Sequence, residues 1–124
     1  MNSHMRKFFV SLLLFLVLGS LEVSAQLNKN YFFWVGRSYI IDNKFRDAIE
    51  TLNVLLKVDT TAYEGYFLRG IAKYNLDDLL GAEQDFSLAI ETNPVFTNAY
   101  QYRAITRSRL GSYDDALKDY QVAI

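Results

Sequence analysis

The chain has 124 residues and a formal net charge of −1, which bounds it to one small domain at most and leaves no basic footprint for nucleic acid. It is 51% hydrophobic and 15% aromatic, a composition that suits packed helices rather than disorder. It has no cysteine, so disulfides, thiolate metal sites and cysteine nucleophiles are excluded.

Residues 1 to 28 read first as a targeting segment. Arg6 and Lys7 precede the apolar run Phe8 to Leu18, and Gly19, Ser20 and the small-residue triplet Val23-Ser24-Ala25 follow. This three-part layout is that of a secretory signal peptide over residues 1–25, cleaved between Ala25 and Gln26. Met5 offers a second start with a more compact basic region. The other reading is a membrane anchor. The apolar run covers 11 residues, or 14 if extended to Leu21, against the roughly 20 a spanning helix needs. No stable membrane span is therefore expected after cleavage, and without a cysteine no lipid anchor.

Cleavage removes Arg6, Lys7 and Glu22 and takes the net charge from −1 to −2, which again disfavours nucleic acid as partner. It also removes His4, the only histidine, so ordinary zinc sites and Ser–His–Asp catalysis are excluded from the mature chain. The mature chain has no Asn-x-Ser/Thr sequon. The expectation is an exported protein of the bacterial periplasm or cell envelope.

Helical periodicity then predicts six helices paired as hairpins: about 29–42 with 45–58, 63–76 with 79–92, and 97–110 with 113–124. Between the members of each pair sits a residue that tolerates left-handed backbone: Asn43, Asp77 and Gly111. Ser112 with Asp115 resembles a capping box, and Asp78 can cap the helix that follows it. Lys44 cannot, so that turn is expected to be the loosest. Asp77-Asp78 and Asp114-Asp115 are paired carboxylates, but they fall at helix starts, where negative charge favours the helix dipole. The run Tyr31 to Gly36 is apolar on nearly all sides, as in a helix that is buried or contacts something else.

Shifting the chain by about 34 residues superimposes it on itself without gaps. Small residues align at Gly36, Gly70 and Ala104, and at Ala48, Ala82 and Ala116. A third such column is Leu55, Ala89 and Ala123. Larger apolar columns are Phe32, Tyr66 and Tyr100; Leu52, Phe86 and Tyr120; and Phe45, Leu79 and Tyr113. The central copy, with Tyr66, Gly70, Ala82, Phe86, Ala89 and Pro94 in order, resembles the tetratricopeptide repeat (TPR). The resemblance covers Lys29 to Ile124. It implies an all-α fold: a right-handed superhelical stack of three helix–turn–helix hairpins, with repeats about 29–62, 63–96 and 97–124 and the last one truncated. The first copy departs from the pattern with Leu55 in place of a small residue and Thr60 in place of proline.

One pair follows from the register. Arg69 and Asp85 recur as Arg103 and Asp119, whereas the first copy has Val35 and Thr51. The pairs are predicted to join the two helices of each hairpin through planar bidentate contacts. The alternative is that these arginines bind an acidic ligand.

No catalytic constellation is visible, no cofactor or metal is expected, and the chain does not read as an enzyme. In TPR proteins the concave surface comes mainly from the first helix of each hairpin. Carried onto this sequence, that resemblance implies a peptide-binding surface of Asn30, Phe33, Arg37 and Ile41, then Glu64, Phe67, Ile71 and Asn75, bordered by Tyr74, then Asn98, Gln101, Ile105 and Arg109. Phe33, Phe67 and Ile71 form an apolar patch suited to anchoring a peptide. The other reading is that Phe33 and Phe67 pack between adjacent repeats. Chaperone-tail binders of the family hold a terminal carboxylate with lysines, asparagines and an arginine. The matching places here are Phe33, Arg37, Leu68, Asn98 and Tyr102, so that mode is not expected.

Tyr113, Leu117, Tyr120 and Ile124 end the sequence with an apolar face that has nothing after it. The expectation is that further repeats follow or that this uncapped C-terminal helix mediates self-association. The leading functional reading is an exported TPR interaction module binding a protein or peptide. The second is an architectural spacer or docking unit in a larger envelope assembly, with the groove filled in cis or by a subunit. An enzyme with its catalytic part beyond Ile124 is a third class that these residues do not support.

Overall fold

The computed structural model describes residues 2–124. Among them all regular structure is helical: α1 (Ser3–Ile41), α2 (Phe45–Val58), α3 (Tyr63–Asn75), α4 (Leu79–Thr92), α5 (Thr97–Arg109) and α6 (Tyr113–Ala123). The chain divides into two compact units, one ending at Tyr31 and one spanning Phe32–Ile124.

The largest difference from the sequence expectation lies in α1. A helix start near residue 29 was expected, but the helix begins at Ser3 and continues to Ile41. No proline interrupts residues 3–41, and a lone glycine such as Gly19 costs only about 1 kcal/mol in a helix interior. Over an 18-residue window the mean hydropathy of α1 reaches 2.2, so it is long and apolar enough to cross a membrane. A signal sequence near an N-terminus meets the same criterion. Only 14 residues lie between Lys7 and Glu22, so an 18-residue window takes in at least one charged side chain and still averages strongly apolar.

The remaining boundaries agree with the periodicity to within one residue. Asn43, Asp77 and Gly111 adopt φ of 58°, 62° and 82°, the left-handed geometry expected of them. Asp78 caps α4 by accepting a hydrogen bond from the Gly81 amide at 3.0 Å. Ser112 does not act as the expected capping box: its side chain makes no cap hydrogen bond to α6. Lys44 likewise supplies no side-chain cap to α2.

Within Phe32–Ile124 the helices pack in chain order, α2 on α3, α3 on α4, α4 on α5 and α5 on α6. Small-residue columns set the spacing. Gly36 lies against Leu52, and Gly70 lies against Phe86. Ala48, Leu52, Leu55 and Ala72 form the core, with Phe33, Tyr39 and Phe45 packed around it. Phe86 is fully buried, worth roughly 1.5–3 kcal/mol of transfer free energy.

Polar ties repeat in the same register. Arg69 donates Nε to Asp85 Oδ2 at 2.9 Å and Nη2 to Oδ1 at 2.7 Å. Arg103 makes the same fork on Asp119 at 2.8 and 2.7 Å. The third guanidinium donor reaches the preceding hairpin: Arg69 to Asn53 at 2.9 Å and Arg103 to Ser87 at 3.1 Å. Each arginine thus joins three helices. Each also lies over a tyrosine one turn earlier, Tyr66 or Tyr100, whose hydroxyl donates to the carbonyl of Thr60 or Pro94 at 3.1 Å. The predicted ion pairs are present, and they leave neither arginine free for an acidic ligand.

Candidate functional site

A pocket of ≈ 320 Å³ opens between α1, α3 and α5, lined by Phe33, Arg37, Glu64, Phe67, Leu68, Phe96 and Asn98. Five of these seven were expected from the repeat register. Phe33 and Arg37 lie one turn apart on α1, as do Glu64 and Leu68 on α3, so each helix presents one stripe to the cavity.

The apolar wall is fixed by ring contacts. The Phe67 ring meets Phe96 at 5.0 Å and Tyr102 at 5.2 Å, both edge to face, and Phe86 at 5.8 Å. Phe96 is held in turn by Tyr63 at 5.1 Å. Phe33 is half-buried against the core and meets Trp34 edge to face at 5.2 Å. Phe33 and Phe67 therefore pack between repeats and also line the cavity.

Leu68 and Phe96 were missed as surface residues. Phe96 precedes α5 and aligns with Ala62, so a large apolar side chain at a turn position was the available signal.

Other residues of the expected surface lie elsewhere. Tyr74 and Arg109 engage each other, with the guanidinium 4.9 Å from the ring centroid, and Arg109 also pairs with Asp77 at 2.9 Å. The Asp77 hydrogen bond is the largest influence raising the Arg109 pKa. Asn75 donates its side-chain amide to the Ile71 carbonyl at 2.8 Å. Ile41 is exposed at the end of α1, Ile71 and Ile105 are half-buried, and Gln101 is exposed. Asn30 belongs to the unit ending at Tyr31 and accepts a hydrogen bond from Gln26 at 3.3 Å.

Behind the pocket the charges are mutually satisfied. Asp119 is nearly buried and accepts from both Arg103 and Arg107, the latter at 2.8 Å. Its hydrogen bond to Arg103 raises the arginine's pKa against the opposing effect of burial. Arg107 also reaches Glu83 at 3.1 Å, and Lys73 pairs with Asp85 at 3.1 Å. No group of His, Cys, Asp or Glu among the described residues is arranged to hold a metal ion.

This arrangement is similar to several solved structures. Against a crystal structure of MamA the chain is 29% identical with a TM-score of 0.76, covering 78% of this chain and 57% of that one. Against the first TPR of Spaghetti (RPAP3) bound to the HSP90 peptide SRMEEVD it is 26% identical with a TM-score of 0.75, covering 77% and 76%. The TPR2B domain of yeast Sti1, solved as a pHsp70 complex, is 24% identical with a TM-score of 0.76, covering 78% of each chain. The chain thus spans little more than half of the MamA chain it matches. No protein-family model and no curated protein sequence matches it. The fold is all-helical and TPR-like.

Proposed function

We propose that the chain is an exported interaction module that binds a protein or peptide through the concave face formed by the first helices of its hairpins. The observation that carries this reading is the ≈ 320 Å³ pocket, where side chains of α1, α3 and α5 converge on rigid aromatic walls. Its size lies at the lower end of the range of ligand pockets. The Spaghetti (RPAP3) domain of the same fold is bound to a peptide. The test is selection of binders from a displayed random peptide library on the full chain in detergent micelles. The selected peptides are expected to lose binding to Asn98→Trp, which fills the exposed rim, and to keep it on Lys118→Trp on α6. Equal binding to both variants overturns the concave-face reading.

Export rests on the basic, apolar and small-residue order of residues 6–25. Mass measurement of the chain from bacterial envelope fractions tests it. A mature N-terminus at Gln26 is expected. A chain that retains α1 entire in the membrane fraction overturns cleavage.

Self-association through the C-terminal helix, a separate expectation, draws on a different surface. Tyr113, Leu117 and Ile124 are exposed apolar side chains on one side of the α6 segment. Such a patch favours association. Sedimentation is expected to show self-association that Leu117→Glu abolishes. A monomer with and without the substitution removes this reading.

A further inference from the structure

We infer that the pocket selects an extended peptide segment whose large apolar side chain is flanked, within two residues, by one acidic and one basic side chain. The inference rests on the concave-face reading above and specifies its ligand.

The apolar anchor follows from the walls. Phe67 is locked by three ring neighbours, so it meets a ligand without being ordered by it. Phe33 faces the same cavity. A volume of ≈ 320 Å³ holds one large side chain with adjoining backbone, not a folded surface. Asn98, exposed at the rim, has an amide that can both donate to and accept from a peptide backbone.

The flanking charges follow from what the pocket leaves unpaired. All five cations of α3 and α5, namely Arg69, Lys73, Arg103, Arg107 and Arg109, are held in ion pairs. Among the described residues of those two helices Glu64 is the one charged side chain without an ion pair. Arg37 has none either; it lies over the Trp34 ring at 5.4 Å. Among the described residues these two are the only charged ones that line the pocket, and they do not pair with each other.

A ligand of one sign therefore meets a like charge: an acidic tail faces Glu64, and a basic one faces Arg37. A ligand carrying both signs meets two opposite charges. An extended chain rises about 3.3 Å per residue, so side chains within two positions of the anchor reach both rims.

The test measures fluorescence anisotropy of labelled five-residue peptides on the full chain in detergent micelles. Two carry both signs, acetyl-Glu-Ala-Phe-Ala-Lys-amide and acetyl-Lys-Ala-Phe-Ala-Glu-amide, to cover both chain directions. Controls carry Glu at both ends, Lys at both ends, Gln at both ends, or Ala in place of Phe. At least one mixed-charge peptide is expected to bind about threefold tighter than the Gln peptide and up to about tenfold tighter than either single-sign peptide. The Ala peptide is expected to bind weakest. Glu64→Lys is expected to shift the preference to the all-Glu peptide, and Arg37→Glu to the all-Lys peptide. Both positions are exposed, so a purely structural role predicts no such exchange. Phe peptides that bind equally whatever their flanking charge overturn this inference and leave the concave-face reading standing. If no peptide binds, and library binders ignore Asn98→Trp, both fail.

Discussion

A Cβ placed on Gly70 would lie 2.7 Å from Cε1 of Phe86. That contact sets how closely α3 approaches α4, and it recurs one repeat earlier, where a Cβ on Gly36 would lie 2.7 Å from Cδ2 of Leu52. The two differ in what can yield. Both side chains are fully buried, but Phe86 is a rigid ring held against Phe67 and Tyr102, whereas Leu52 is an aliphatic side chain that can change rotamer.

Gly70→Ala is therefore expected to destabilise the protein. Overpacking costs about 1–3 kcal/mol, partly offset by the roughly 0.5–1 kcal/mol that alanine gains over glycine in a helix. Gly36→Ala is expected to cost less. Urea denaturation of the two variants side by side checks the order. An equal effect would mean that the Phe86 ring moves as freely as the leucine.

Asp119→Ala is expected to cost about 2–3 kcal/mol, below the range for a fully buried pair because both of its arginine partners retain some solvent. The double change Arg103→Val with Asp119→Thr copies the first hairpin's Val35 and Thr51. It is expected to cost less than Asp119→Ala alone, because only Arg107, which keeps Glu83, then loses a carboxylate partner, whereas the single change strands Arg103 as well. A double change that equals the sum of its single variants would show that the fork is not coupled.

Asp78→Ala is expected to cost about 1 kcal/mol, the usual value of a helix N-cap, because its carboxylate accepts the Gly81 amide. Ser112→Ala is expected to cost a few tenths at most, since the hydroxyl makes no cap bond. Thermal unfolding of both separates them. A large loss at Ser112 would show that its hydroxyl does cap α6 in solution. Gly81→Ala is expected to resemble Asp78→Ala, because a Cβ there runs into the Asp78 carboxylate.

Gly111→Ala is expected to destabilise by about 1 kcal/mol or slightly more. Its φ of +82° is a left-handed conformation that a Cβ disfavours. Asn43 and Asp77 already carry side chains at that geometry, so Asn43→Ala is expected to cost less than Gly111→Ala. Hydrogen exchange at the α1–α2 turn of Asn43→Ala and at the α5–α6 turn of Gly111→Ala reads the difference.

The repeat register carried much of the tertiary structure in advance. Residues about 34 apart occupy the same environment, so a pair seen twice, Arg69 with Asp85 and Arg103 with Asp119, implied one contact made twice. Phe33, Arg37, Glu64, Phe67 and Asn98, which the TPR resemblance placed on the concave surface, all line one pocket. The register did not reveal that Arg69 and Arg103 also reach Asn53 and Ser87 in the preceding hairpin, since those two side chains share only a hydrogen-bonding oxygen. Nor did it supply Phe96, which replaces the small residue of its column.

The sequence by itself determined helices α2 to α6, the left-handed turns and which faces meet, because those follow from local backbone preference and a periodic apolar pattern. Beyond the two repeated Arg–Asp pairs, only the tertiary structure decided which charges are paired. Arg109, read as part of the groove, turns to Tyr74 and Asp77, while Arg37 and Glu64 remain unpaired at the pocket rim. A charged side chain's partner depends on distances of a few ångströms between helices, and a one-dimensional pattern does not contain them.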